Sequence, residues 1–475
     1  MIADLKPYPV YKNSGVPWLG RIPAHWEILC GKALFSESRL EVRDLDEIVT
    51  CFRDGQVTLR RNRRASGFMI ALKEAGYQGV RKGQLVIHAM DAFAGAVGVS
   101  ESDGKCTPEY IVCNPRRPDV APGYFTHVLR LAAQSKFIEV ACPAVRERAP
   151  RLRYPDFGAL QLPFPASAEQ DFILRYLDHS NRSIQRYIRA KKNLIALLNE
   201  QKQAIIHRAV TRGLGPNVRL KPSGVEWLGD VPVHWEVMAL RLRYSQCLGK
   251  MLDSKRILGL HLLPYLRNTD VQWDRINTTE LPVMDIAPVE YERYTVKIGD
   301  LLICEGGEVG RCAVWDGPIE VCGFQKALHR LRPLSQDCDV PRFLLYVLRV
   351  AVKTGAFADG HESTIAHLTG DKLRAHRFAF PSRAEQEAIV THIEGATSSI
   401  DQAVVASQRE IDFVLEYRTR LIADVVTGKL DVREASARLP AEARDPEQIE
   451  EPEAPMKGDN DPEGDLDTGW EEADA

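Results

Sequence analysis

Ten cysteines are scattered along this 475-residue chain, yet no two stand in a CxxC pair. That absence removes the zinc-ribbon and dithiol-redox readings. It leaves thiols of the kind that pack in cores in a reducing compartment. There is no apolar run of eighteen residues, so no membrane-spanning helix is expected. The opening MIADLKPYPVYKNSG lacks the apolar centre of a secretory leader, and the chain reads as cytoplasmic. Signatures of chemistry are missing too: there is no HExxH, no Walker loop and no NPPY-like tetrad. The glycine-rich CEGGEVGR (304–311) lacks a GK[ST] ending and reads as a tight turn between strands. His361 and Glu362, in GHEST, form a lone pair suited to a structural or DNA-facing place rather than a catalytic one.

What the chain does have is a sentence written twice. SGVPWLGRIPAHWEI (14–28) returns as SGVEWLGDVPVHWEV (223–237), with ten of fifteen positions identical. LPFPASAEQDFI (162–173) returns as FAFPSRAEQEAI (378–389), and AIIHRAVTRGL (204–214) as RLIADVVTGKL (420–430). The last two matches share one offset, so the segment between them has the same length in both halves. The stretch before them differs in length and content. A period this long means two copies of a domain, each with a constant and a variable part. His25 and His234, within the first repeat, are expected to pack and hydrogen-bond beside Trp26 and Trp235.

The constant part reads as a long helix. Ala168 to Arg212 contains no glycine and no proline. Ile173, Leu177, Ser180, Ile184, Tyr187, Leu194, Leu198 and Ile205 form a heptad stripe, interrupted at Lys191 and Gln201. Ser167 is placed as N-cap, with Gln170 closing a capping box, and Gly213 as the stop. The second copy begins at Ser382, carries Ile389, Ile393, Ile400, Val414, Tyr417 and Leu421, and stops at Gly428. Residues 166–213 hold nine basic and four acidic residues, and 383–430 hold five and eight. Opposite net charge favours pairing of the two rods within one molecule.

The variable parts mix short strands (QLVIHAM, YIVCNP, DLLICEG, RCAVWD) with amphipathic helices (YFTHVLRLAAQSKFIEVA, PRFLLYVLRVAVKTGAF). That mixture predicts an α+β domain in each half. The first half clusters Arg60, Arg61, Arg63 and Arg64, then Arg146, Arg148, Arg151 and Arg153. Arginine forks grip phosphates and read guanine edges. In the second half Lys250, Lys255 and Arg256 precede PYLRNTDVQWDRI, which offers Tyr265, Arg267, Asn268 and Gln272, the amides being adenine readers. Arg311 and His361 complete the candidate DNA contacts. Residues 1–430 are mildly basic, whereas 431–475 carry sixteen acidic and four basic residues and read as a disordered acidic tail.

Taken together, the twin W-L-G…P-H-W motifs, the FP…AEQ…I helix starts, GDLLICEGGEVGR and the TIAHLT lead-in resemble the specificity subunit of type I restriction–modification systems. The resemblance covers residues 1 to about 430. It implies two pseudo-twofold α+β target recognition domains (1–165 and 214–382), separated by two long antiparallel coiled-coil helices (166–213 and 383–430). It implies a non-catalytic subunit that reads a bipartite target on double-stranded DNA. Its expected partners are two methyltransferase subunits and motor–nuclease restriction subunits, with no membrane. It implies no cofactor or metal in this chain, S-adenosylmethionine, ATP and Mg2+ belonging to the other subunits. Two alternatives stand beside it: a coiled-coil adaptor that does not read DNA, and a DNA-modifying enzyme acting alone.

Overall fold

The computed structural model describes residues 5–63, 76–141, 151–252, 259–357 and 368–440. It divides into two compact units, Met1–Asn181 with Arg420–Ala475, and Arg182–Thr419. Each is α+β, and each is built on the same plan.

In the first unit, four antiparallel strands lie in the order Phe35–Glu37, Tyr110–Pro115, Leu85–His88, Val97–Val99. Leu85, Val86 and Ile87 are fully buried in succession, as expected of a strand covered on both faces. Helix α1 (Pro122–Gln134) packs over this sheet with Tyr124, Phe125, Val128, Leu129 and Ala132 inward. Pro122 suits its first turn, where φ is preset and no amide donor is needed. The sequence predicts one helix from 124 to 141. The chain instead breaks at Lys136, held at φ 57°, before a short turn of helix at Phe137–Ala141.

In the second unit the corresponding sheet runs Tyr244–Leu248, Leu328–Pro333, Leu301–Cys304, Cys312–Val314. Its own addition is a three-stranded patch of Val283–Asp285, Leu262–Leu266 and Gly323–Phe324. In chain order, helix α2 spans Ser167–Arg212, α3 spans Pro341–Lys353 and α4 spans Arg383–Val426. Helix α3 matches α1 in length, with its Phe343, Leu344, Val347, Leu348 and Ala351 buried.

Both long helices predicted from the constant segments are present, at 46 and 44 residues. Within the second unit they face each other in opposed directions. Lys191 Nζ lies 2.7 Å from Glu410 and Lys202 Nζ lies 2.5 Å from Asp401. The Tyr187 hydroxyl donates to Glu410 at 2.5 Å. The basic and acidic rods thus exchange charge over this stretch. The predicted stripe drifts, however. Ile173, Leu177, Ser180 and Ile184 are buried, Tyr187 and Leu194 are exposed, and the far end buries Ile206, Ala209 and Val210, with Ile205 only half-covered. A straight helix slips by about 20° per heptad against a 3.5-residue repeat, so several heptads carry the buried face on by one residue.

Candidate functional site

The repeated motif finds its explanation at the start of each long helix. In the first unit Trp26 is wholly buried, and His25 Nε2 lies 2.9 Å from Glu169 Oε2. The Tyr8 hydroxyl donates to the other oxygen of Glu169 at 2.5 Å. Burial, and then this bond to a carboxylate, push the Tyr8 phenol well above the ordinary tyrosine range. In the second unit His234 Nε2 lies 2.9 Å from Glu385 Oε2, and Trp235 Nε1 donates to Glu385 Oε1 at 3.0 Å. Both histidines hydrogen-bond beside their tryptophans as expected, while their own rings stay exposed.

The neighbouring glutamine is equally occupied, though not as predicted. Gln170 closes no capping box. Its Oε1 accepts from the Ala121 amide at 2.9 Å, and its Nε2 donates to the Asp119 and Pro165 carbonyls. Gln386 repeats this with the Val340 amide and the Cys338 and Pro381 carbonyls. Both glutamines are fully buried. A primary amide has two donors and an acceptor, and here it satisfies backbone groups on the loop that launches α1 or α3. The A-E-Q triplet is thus a two-sided fastener. Its glutamate takes the P-H-W turn and its glutamine takes the loop before α1 or α3.

A second seam seals each anchor. Glu27–Cys30 pairs antiparallel with Gln161–Phe164, and Glu236–Ala239 with Arg377–Phe380. Gly428, at φ +74°, ends α4 against Pro23 and Trp26. Gly213, at φ +67°, ends α2 against Trp235 and Glu385. Both stops fall where predicted, in the left-handed region that glycine enters freely.

The candidate DNA contacts divide by environment. Arg61 and Arg63 meet Glu47 and Asp54 at 2.6 Å on the surface, and Arg151 meets Glu109 at 3.0 Å. Arg60 donates to Thr50 Oγ1 from the same turn of 3-10 helix. Lys250 Nζ lies 2.5 Å from Glu290. That lysine pair is part-buried, whereas the three arginine–carboxylate pairs are exposed and worth under about 1 kcal/mol each, so a phosphate can replace their carboxylates at little cost. Arg64, Arg146, Lys255, Arg256 and His361 lie outside the described residues.

The 264–276 segment is more constrained. Arg267 forms a two-pronged pair with Asp270 at 2.9 and 2.8 Å. Arg311 Nη2 donates to the Asn268 carbonyl at 2.9 Å, and Asn268 Nδ2 donates to the Gly306 carbonyl at 3.0 Å. Trp273 Nε1 donates to Glu308 at 2.5 Å. The glycine-rich turn and the NTD turn are therefore one assembly, a juxtaposition that spacing alone does not reveal. Asn268 Oδ1 and Arg311 Nε are buried without a partner among the described residues. Tyr265 needs correcting: at 5% exposure it packs against Met284 and Ile286 and supports the loop from beneath.

Among the described residues no group of acids, histidines and cysteines is spaced to hold a metal ion. No helix among the described residues is long and apolar enough to cross a membrane. The Cys51 and Cys106 thiols are pushed up to about 12 by burial, which suits packing rather than nucleophilic work.

No protein-family model matches the chain, and no curated protein matches it. Solved structures do. A chain from a structure described as "Structural basis underlying complex assembly and conformational transition of the type I R-M system" superposes with a TM-score of 0.65 at 15% identity. That match covers 86% of this chain and 99% of the other. The HsdS subunit from Thermoanaerobacter tengcongensis matches at 16% identity over 85% and 96% of the two chains, with a TM-score of 0.47. A type I restriction-modification S subunit from M. genitalium matches at 14% identity over 84% and 96%, with a TM-score of 0.33. The first of these shows a shared fold over most of this chain and nearly all of the other.

Proposed function

We propose that this chain is the DNA sequence-specificity subunit of a type I restriction–modification complex. The single observation that carries the reading is the shared fold with a chain of such a system, at a TM-score of 0.65 over 86% of the residues. The duplicated fasteners support it independently. Two recognition domains, 1–165 and 214–382, are each clipped to helix starts by the same His–Glu and backbone–Gln contacts. Between the clips the constant helices, 166–213 and 383–430, have matched lengths. At about 1.5 Å per residue each spans roughly 65–70 Å, enough to hold two readers about one turn of duplex apart.

In this reading the subunit makes and breaks no bonds. The exposed arginines of the first domain exchange their surface carboxylates for phosphates. In the second, the Asn268–Gly306–Arg311 assembly presents Arg267 and the glycine-rich turn to a base-pair edge. The helices recruit two methyltransferase subunits, and a motor–nuclease subunit completes the restriction complex in the cytoplasm.

Co-expression with the cognate methyltransferase, followed by single-molecule mapping of methylated adenines, tests the proposal. The expected result is one bipartite motif with a fixed gap. Methylation or cleavage by this chain alone would instead make it an enzyme. Assembly with the methyltransferase but no motif would make it an adaptor.

A further inference from the structure

The second unit contains a cavity of about 320 Å³ where α3 meets α2 and α4. Its lining carries three cations and three carboxylates, and the charges are unevenly matched. Arg342 grips Asp274 with both Nη atoms, at 2.9 and 3.2 Å, and reaches Glu394 with Nε. Lys202 holds Asp401 at 2.5 and 2.7 Å. These pairings consume every carboxylate of the lining. The half-buried Arg349 is left, on α3, with no carboxylate or carbonyl partner among the described residues.

One turn along α3 stands Lys353, a second cation on the same face. Burial, and then the charge of Arg349, hold its ammonium below the ordinary lysine range. Like charges four residues apart destabilise a helix, and an incoming anion relieves that repulsion. The matching positions of α1 do not repeat this cluster. At the matching position of α1, Arg130 turns inward to the Gly95 carbonyl at 3.3 Å, and Gly123 stands where α3 has Arg342.

We infer that this cavity is a docking socket for one acidic side chain of a protein partner, with Arg349 as its anchor. Resting on the functional reading above, the partner is the methyltransferase subunit. With Lys353 counted beside the lining, cations exceed carboxylates by one, and a single carboxylate balances that excess. A DNA backbone presents a negative charge every ~1.7 Å of duplex axis, and a local excess of one positive charge matches a single carboxylate rather than such a row. Because Gly123 and Arg130 of α1 do not reproduce Arg342 and the unpaired Arg349, the two methyltransferase subunits are held by unequal contacts.

The test uses the full chain with purified methyltransferase subunits, with assembly followed by mass photometry and titration calorimetry. R349E is expected to weaken one of two binding steps by about 30-fold or more, the scale of a lost half-buried charge pair, and to leave the other step unchanged. R349K should retain most of the affinity. S398W, which fills the cavity mouth from α4 and alters no charge, should weaken the same step, and it keeps the test decisive if R349E does not fold. Wild-type affinity in both R349E and S398W overturns the inference. So does normal assembly of R349E with weaker, less salt-dependent DNA binding, which would make Arg349 a phosphate contact. If the wild-type chain forms no complex with the methyltransferase, the functional reading itself fails, and the socket with it.

Discussion

Replacing Gly428 with alanine is a sharper test of the anchors than replacing Gly213, although the two glycines hold matching places in the repeat. Both have positive φ, +74° and +67°, and an L-residue there costs about 1–2 kcal/mol. They differ in what a new methyl group meets. At position 428 it would lie 2.4 and 2.6 Å from Pro23 Cδ and Cγ and 3.0 Å from Trp26 Cη2. The proline ring is tied to the backbone and the Trp26 ring is fully buried, so overpacking adds about 1–3 kcal/mol. At position 213 the nearest atom is Glu385 Oε1 at 3.2 Å, the end of a side chain that can give. G428A should therefore cost about 2–5 kcal/mol and G213A about 1–2 kcal/mol. At about 2–4 °C per kcal/mol, the first-unit melting transition should fall by about 4–20 °C in G428A. The second-unit transition should fall by only a few degrees in G213A. Calorimetry resolves the transitions if the units melt separately. Equal losses, or a larger loss in G213A, would refute the claim that the P-H-W turn closes rigidly on the end of α4.

The other expectations can be checked in the same preparations. Trp235→Phe should destabilise the second unit by about 1–2 kcal/mol more than Trp26→Phe destabilises the first, because Trp235 Nε1 donates to Glu385 while Trp26 Nε1 is buried without a partner among the described residues; comparable urea midpoints would contradict it. Buried His329 accepts from Gln246 at one nitrogen and donates to the Leu368 carbonyl from the other, and burial holds its pKa below the usual value. The unfolded state thus binds the extra proton, so its stability contribution is full above about pH 6.5 and declines as pH falls below that. Second-unit midpoints measured from about pH 7.5 to about pH 5.5 should show the loss, and His329→Gln should remove part of it. Removing seven residues from each long helix, about 10 Å, should shorten the gap of the methylated motif by a few base pairs or abolish binding; an unchanged gap would sink the spacer role. Arg267→Ala should relax only the second half of that motif, and a methylome altered in the first half would reverse the assignment.

The two long helices, their glycine stops and the duplicated plan were legible in the chain because they rest on local rules: no breaker between 168 and 212, and a left-handed residue at 213 and 428. The anchoring partners were not. Glu169 and His25 are 144 positions apart, and Gln386 and Val340 are 46 apart, so only the folded chain reveals that AEQ faces two ways. Within the candidate site, residue types pointed to Arg267, Asn268 and Arg311, but their joint engagement around Gly306 depends on two distant turns meeting. Tyr265 was misplaced for a related reason: an aromatic residue beside polar readers looks exposed in sequence, and its burial follows from a strand pairing on both sides.

Sequence alone determined the duplication, the helical rods, their opposite charge and the α+β character of each half, since these follow from periodicity and composition. Tertiary structure decided which carboxylates were already spent, where the buried stripe slipped, and that one guanidinium on α3 was left over. Charge counts cannot supply that last fact, because whether a cation is matched depends on which acids come within a few ångströms of it in the folded protein.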